Sequence, residues 1–442
     1  MRPLDPLLAL ASVAGTAGPL CSQQTLHASW TGIASLEHYG HEVEYAGDVD
    51  LDGHPEVLLG TWDEKGLGRA QVVSPHSGAV LHEFHGQTPG ARYGFAMATI
   101  GDVDQDGFPD LAIGEYLAPG HVQENGRVEV RSGRTGQVLY EVLPEEGGQF
   151  GFSIAALGGD VDGDGVPDFV VGAPEGTAPI QTQTVVIVPS GYAAVVSGQS
   201  GKVNLRVGYH APNEFQAFGF SVAGIGDLND DGKLDFAVGA PWHDAGAGGW
   251  RRGGVAVFNA SDGAPIGVVE GASDDDHLGI SVAAAGDVDG DGYDDYIAGA
   301  PLAEIAGQPY RGYAAVISGR NGTTLASFAG TSAYESYGYD VDRPGDFNRD
   351  GVADFAFGAP SWPGLGPGPG VVHVHDGKTF DKLWEITVSA PTPPVLSFGA
   401  ALAAAGDIDG GGLMDMAVGA PEMAKEAGLV EFVLLDLEDV FW

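Results

Sequence analysis

The sequence predicts an all-β repeat protein, a single ring of seven equivalent units, and three observations predict it. One stretch recurs seven times, most cleanly as Gly159 to Pro174, GDVDGDGVPDFVVGAP. Short runs of apolar and small residues bounded by Gly and Asp follow each copy, which is the signature of strands. No convincing amphipathic helix is present. The first acids of the copies stand at Asp48, Asp102, Asp160, Asp227, Asp287, Asp346 and Asp407, 54 to 67 residues apart, and a recurrence of this kind decides an architecture before any single element does.

The repeated stretch reads as a metal-binding loop between two strands, with oxygen groups at its positions 1, 3, 5 and 9. These are Asp48, Asp50, Asp52 and Glu56, then Asp102, Asp104, Asp106 and Asp110, then Asp160, Asp162, Asp164 and Asp168. The fourth copy offers Asp227, Asn229, Asp231 and Asp235, and the fifth Asp287, Asp289, Asp291 and Asp295. The sixth offers Asp346, Asn348, Asp350 and Asp354. The seventh has only Asp407, Asp409 and Asp415, because Gly411 stands where position 5 needs an oxygen. Alternate side chains of a tight loop can converge on one point, where carboxylates without a cation repel one another. Hard oxygen ligands with no His or Cys suit Ca²⁺ better than a transition metal. Position 6 is Gly in every copy, from Gly53 to Gly412, as a turn that needs positive φ demands. The twelfth position carries no Glu and the flanks read as strands, so this is not a complete EF-hand. Six or seven Ca²⁺ are expected, the seventh site binding weakly or not at all.

Each repeat reads as four short strands. In the fourth and fifth copies they are typified by Ser281–Ala285 after a Gly, Asp235–Val238 leaving the loop, Gly254–Phe258, and Pro265–Val269 after a Gly-containing turn. The chain ends point to ring closure. Ser29-Trp30-Thr31-Gly32 keeps the spacing to Tyr39 that Ser327-Phe328-Ala329-Gly330 keeps to Tyr337. Residues 25–31 therefore read as an outer strand that completes the last repeat and removes an open sheet edge.

Aromatic-Gly pairs precede the loops: Tyr39-Gly40, Tyr93-Gly94, Phe150-Gly151, Phe218-Gly219, Tyr337-Gly338 and Phe398-Gly399, with Leu278-Gly279 in the fifth copy. A Gly-Ala-Pro follows five of them, as at Gly172-Ala173-Pro174. These residues resemble the FG-GAP repeats of the integrin α-chain β-propeller. The first two copies depart, with Gly60-Thr61-Trp62 and Gly114-Glu115-Tyr116. The resemblance implies a seven-bladed β-propeller of four-stranded blades, starting near residues 38, 93, 150, 218, 278, 337 and 398. It also implies calcium loops on one side of a disc, and ligand-binding loops on the other. Those loops hold Trp62, Tyr116, Trp242, Trp250, Arg251, Arg252, Tyr310, Arg311, Tyr334 and Trp362. Aromatic and Arg side chains are typical interface anchors, and aromatic platforms suit sugar rings. The function so implied is a protein- or glycan-binding adhesion module. The family hosts many activities, so a polysaccharide-active or phosphodiester-cleaving enzyme using the central cleft stands as the alternative.

Net charge is −42, from 61 acids against 19 basic residues. Seven Ca²⁺ would cancel at most 14 of those charges and leave −28. Nucleic acid is excluded as a natural partner, since phosphate binding needs a basic footprint, and an anionic membrane surface for the same reason. Residues 1–23 read as a secretory signal peptide, with Arg2, an apolar stretch from Leu7 to about Leu20, and small residues near the end. Residues 24–442 are then the secreted propeller. Cys21 is the single cysteine, so no internal disulfide is expected. No later run reaches the roughly 18 apolar residues of a membrane span. No nucleophile elbow, HExxH, Walker loop or CxxC occurs. His373 and His375 read as ordinary strand alternation, and Asp274-Asp275-Asp276-His277 as a solvated loop between repeats.

Overall fold

In a computed structural model of the chain, the residues described are 25–31, 37–63, 65–119, 125–145, 147–175, 191–208, 216–244, 251–361, 368–387, 395–408, 412–423 and 426–434. The expected leader and Cys21 lie outside them. Every element among the described residues is a strand.

The N-terminal strand is β1 (Thr25–Thr31). Six four-stranded antiparallel sheets follow, each built from one contiguous segment. The first is β2 (Glu37–Gly47), β3 (Glu56–Asp63), β4 (Arg69–Ser74) and β5 (Ala79–His85). The second is β6 (Tyr93–Gly101), β7 (Asp110–Glu115), β8 (Arg127–Arg131) and β9 (Val138–Val142). The third is β10 (Ser153–Ala156), β11 (Phe169–Ala173), β12 (Tyr192–Val196) and β13 (Val203–Val207). The fourth is β14 (Ser221–Gly226), β15 (Asp235–Gly239), β16 (Gly254–Asn259) and β17 (Pro265–Glu270). The fifth is β18 (Val282–Gly286), β19 (Asp295–Ala300), β20 (Tyr313–Ile317) and β21 (Thr324–Ala329). The sixth is β22 (Val341–Gly345), β23 (Asp354–Ala359), β24 (Val371–His375) and β25 (Lys382–Ile386). These are the blades of a β-propeller.

The expectation of seven equal four-stranded blades is corrected at the end of the chain. There β26 (Val395–Leu396), β27 (Ala401–Gly406), β28 (Asp415–Met423) and β29 (Glu426–Leu434) join β1 in one five-stranded sheet. The physical reason is the length of β28. Its first residues, Asp415 to Gly419, pair with β27, and Glu422 and Met423 run on to pair with β26. On its far side β29 pairs antiparallel with β1, from Thr25↔Leu434 to Thr31↔Leu429.

The second strand of a blade is buried at nearly every residue, as in β7, β19 and β23. Their apolar runs lack alternation because both faces of the sheet are covered. Outer strands such as β5 and β9 are partly exposed. Each core therefore lies between two sheets. Phe347, Val372 and Val374 of the sixth blade pack with Leu402, Met416 and Val418 of the five-stranded sheet. That sheet packs on its other side against Tyr39, Val43 and Leu59 of the first blade. First strands sit beside first strands all the way round, and β27 touches both β22 and β2.

The paired glycines of the sequence explain how closely the sheets approach. A Cβ on Gly172 would lie 2.1 Å from the carbonyl oxygen of Gly219 in the next blade, and one on Gly299 would lie 2.0 Å from that of Gly338. A Cβ on Gly419 would likewise lie 2.1 Å from the Gly40 oxygen. The partner glycines are themselves left-handed, with φ of 89° at Gly219 and 77° at Gly40. No other residue meets both demands.

Candidate metal centres and ligand face

The acidic loops fold by the same local rule in the residues described. In the second, Asp102 accepts from Asp106 N at 2.9 Å with Oδ1 and from Gly107 N at 2.8 Å with Oδ2. Asp104 Oδ1 accepts from Asp106 N, and Asp106 Oδ1 from Phe108 N. Asp110 Oδ2 reaches back to the amides of Val103 and Asp104. The loop's own N–H groups thus orient each carboxylate inward. Gly107 has φ of 92°, as position 6 requires, and position 4 is left-handed too, with non-Gly residues at Leu51, Gln105, Asp230 and Arg349. That second turn costs about 1–2 kcal/mol for each such residue, and nothing in the sequence announced it.

Convergence follows. One oxygen from each of Asp48, Asp50 and Glu56 lies within 4.8 Å of the others, and so for Asp102, Asp104 and Asp110, for Asp160, Asp162 and Asp168, and for Asp287, Asp289 and Asp291. Ca²⁺ takes oxygen ligands at about 2.3–2.6 Å in flexible geometry, so these acidic clusters are compatible with a divalent cation. Asp295, Asp354 and Asp346 repeat the same bonds in their loops. Position 5 makes further contacts of its own. Asp52 accepts from His54 N, and Asp164 from Val166 N and the Ser197 hydroxyl. Asp231 binds the Asn259 amide, and Asp350 lies 3.8 Å from the Lys378 ammonium. In the fourth and sixth loops the amide oxygens of Asn229 and Asn348 accept from Asp231 N and Asp350 N, as an Asp would; Asp227 anchors the fourth loop through Gly232 N. In the seventh, Asp407 accepts from Gly412 N and Asp415 from Ile408 N, while Asp409 and Gly411 lie outside the described residues.

Position 9 differs between blades in how its second oxygen is held. Its second oxygen accepts from a hairpin amide in four blades: Asp110 from Gly133, Asp168 from Gly198, Asp295 from Gly319 and Asp354 from Gly377. In the first blade that place is Pro75, which has no N–H. In the fourth, Ala260 N bonds the Leu234 carbonyl instead. Glu56 Oε1 and Asp235 Oδ1 are accordingly buried without a partner. Burial pushes both carboxyls up to about 7, and Asp110, Asp295 and Asp354 up to about 6.

The other candidate side chains divide. Trp62 lies on His38 at 3.8 Å, with Arg92 over its ring at 4.3 Å. Rings then continue from Phe95 to Tyr116 (4.6 Å) and Phe152 (4.9 Å), from Phe152 to Phe220 (4.9 Å), and from Phe220 to Trp242 (5.2 Å). Trp62, Tyr116 and Trp242 are thus brought together, through three Phe residues that sequence reasoning missed. The signal was present: Phe95, Phe152 and Phe220 each follow the Gly of an aromatic-Gly pair. Arg252 instead pairs with Asp274 at 3.0 Å, and Arg251 N with Asp244 at 2.5 Å. Tyr310 packs on Tyr334, and Arg311 donates to the Gly330 carbonyl. Trp250 and Trp362 lie outside the described residues. The acidic run before His277 is not simply solvated: Asp276 and His277 are buried, and Asp276 accepts from Ser273 N and the Tyr313 hydroxyl. His373 is buried against Glu335 at 3.3 Å, a packing role.

A profile of the FG-GAP repeat matches residues 93–130, 151–197, 218–257 and 278–317, which are parts of the second to fifth blades. The chain is 33% identical over 222 residues to fruit-fly (Drosophila melanogaster) integrin alpha-PS2, covering 47% of this chain and 15% of that protein. It is 30% identical over 217 residues to Xenopus laevis integrin alpha-5, covering 47% and 20%. Human phosphatidylinositol-glycan-specific phospholipase D is 30% identical over 207 residues, covering 43% and 23%. The chain thus spans less than a quarter of the length of each of these relatives. It carries FG-GAP repeats and is similar to integrin alpha chains.

Proposed function

We propose that the chain is a secreted, calcium-loaded β-propeller of seven blades that binds an extracellular protein or glycan. The five-stranded sheet is read as the seventh blade, with β27 innermost and β1 as its outer strand. The Gly419–Gly40 approach supports this, as does Gly406, whose Cβ would meet Pro55 of the first blade at 1.9 Å. The ring then comprises residues 24–442 behind a leader of 1–23. Placement outside the cell agrees with the leader-like start and with a medium rich in calcium. Calcium, held by positions 1, 3, 5 and 9 of the loops, removes the repulsion among their carboxylates and stiffens one rim.

The observation that carries binding is the row of rings from Trp62 to Trp242. Half-buried Phe95, Phe152 and Phe220 give flat apolar faces at the start of three inner strands, which suit a sugar ring or an apolar side chain. The test is a glycan array and a pull-down with calcium-loaded protein, repeated with Trp62→Ala and Phe220→Ala. Each variant should weaken capture roughly tenfold or more, since hot-spot rings cost about 2 kcal/mol, with the bound calcium unchanged. Full capture by both variants removes this face from the reading.

The similarity to a phospholipase D favours a second reading, phosphodiester cleavage. It covers 23% of that protein, so it is a similarity to one part of it. Turnover of a phosphodiester substrate by the purified chain would replace binding with catalysis.

A further inference from the structure

The third and fifth acidic loops are nearly the same sequence, GDVDGDGVPD from Gly159 and GDVDGDGYDD from Gly286. Both offer Asp at positions 1, 3, 5 and 9, so ligand charge and number, which set Ca²⁺ affinity, do not distinguish them. What distinguishes them is the hairpin folded against each loop, between β12 and β13 in one blade and β20 and β21 in the other. In both, the amide of the hairpin's second residue is pinned to the position-9 carboxylate, Gly198 N to Asp168 and Gly319 N to Asp295. The residue that follows is Gln199 in the third blade and Arg320 in the fifth.

Arg320 Nη1 stands 3.6 Å from Asp291 Oδ2, the carboxylate of position 5, and its guanidinium lies 5.1 Å over the position-7 ring of Tyr293. The same hairpin place holds Arg134 in the second blade, 4.7 Å over the position-7 ring of Phe108. In the sixth it holds Lys378, 3.8 Å from Asp350 Oδ2. In the third and fourth blades neutral donors serve position 5 instead. Ser197 Oγ donates to Asp164 Oδ2 at 3.2 Å, and Asn259 Nδ2 to Asp231 Oδ2 at 3.0 Å. Lys233, at position 7 of the fourth loop, lies 3.7 Å from the hairpin carboxylate of Asp262. The additional acid of the fifth loop, Asp294, accepts from Asp227 N of the fourth.

We propose that the hairpin cations Arg134, Arg320 and Lys378 set the calcium range of their loops, so that the fifth loop fills only at higher free calcium than the third. This rests on the reading of the loops as calcium sites. Without the ion, the cation lies against the carboxylates and offsets part of their mutual repulsion. With the ion, it is a like charge at the rim. The side chains of Arg320 and Lys378 are 56% and 59% exposed, so either can swing into water without leaving a buried charge. A doubly charged ion and a single cation about 6 Å apart in water-like surroundings repel enough to weaken binding roughly tenfold, and salt reduces that. The rim of the propeller would then stiffen in two steps as calcium rises.

The experiment is a calcium titration of the full chain at low ionic strength, with bound ions counted by native mass spectrometry at each free calcium level. The fifth loop is followed by itself through terbium luminescence, as the component that Tyr293→Phe removes, with calcium as competitor. Arg320→Gln should fill that loop at roughly threefold to tenfold lower calcium, and added salt should narrow the gap to wild type. Arg320→Lys keeps the charge and should stay within about twofold of wild type. Gln199→Arg should move one ion of the wild-type count to higher calcium by a similar factor. Arg320 and Gln199 are both exposed, so these variants should fold and melt like the wild type in calcium. Unchanged or weaker calcium binding in Arg320→Gln overturns the proposal, and so does an Arg320→Lys shift as large as that of Arg320→Gln. A wild type that holds no calcium at any level fails differently, since it removes the calcium reading itself and the tuning with it.

Discussion

The six four-stranded blades and the five-stranded sheet bury their faces alike but are joined differently. A regular blade takes all its strands from one contiguous segment, each pairing with the next in sequence. The five-stranded sheet pairs Thr25 with Leu434, so it can form only when the whole chain has been brought round. Loop-closure entropy grows slowly with length, but it must be met before a non-local contact rewards it. Packing at the join is nevertheless as close as elsewhere: Gly419 meets Gly40 as Gly299 meets Gly338. Connectivity sets this sheet apart, and packing does not.

The largest expected effect comes from removing what only that sheet has. A chain starting at Glu37 lacks β1 and leaves β29 with an open edge. Each ladder hydrogen bond lost costs about 1 kcal/mol, and an unpaired edge invites association with other copies. Thermal melting and light scattering should show a clearly lower melting temperature, or aggregation. Melting like the longer chain would mean that β1 is an ornament on a ring already closed.

A smaller and more pointed comparison uses one methyl group. Gly299→Ala in a regular interface and Gly419→Ala at the join each place a Cβ about as close to a carbonyl oxygen. If the interfaces are equally tight, both should lose roughly 1–3 kcal/mol, the usual cost of overpacking. A Gly419 variant that unfolds like the wild type in urea would show a join able to give way where a regular interface cannot.

Much of this was legible because a repeat states its rule several times. Gly at position 6 of every loop announced a left-handed turn, and Gly53, Gly165 and Gly292 have φ of 92°, 89° and 91°. Residues 25–31 announced an outer strand by their spacing, and they pair with β29. What stayed hidden depends on side chains from different repeats meeting. Phe95, Phe152 and Phe220 read singly as strand residues, and only the ring of inner strands sets them in a row. Asp340 accepts from the Ser281 hydroxyl and from Leu402 N, 59 and 62 residues away, too far for any local pattern to join. Pro75 removes a hydrogen bond from Glu56, and that consequence needs the hairpin folded back on the loop.

The smallest expected effect lies among the loops, again between a regular blade and the last sheet. In the fifth loop Asp287, Asp289 and Asp291 already present oxygens within 4.8 Å of one another, and Asp295 is buried beside them. In the last, Gly411 removes one ligand, and Asp407 Oδ1 is buried without a partner. Affinity for Ca²⁺ follows ligand charge and number. An ion held at 100 times its dissociation constant stabilises the folded state by about 2.7 kcal/mol. Chelation should therefore lower the melting temperature, and Asp291→Ala should release one ion and part of that stability. Asp409→Ala should change neither bound calcium nor melting by a measurable amount. Native mass spectrometry counts the ions directly. One ion lost from each variant would make the last loop the equal of the fifth, and the difference between the sheets would then end at their strands.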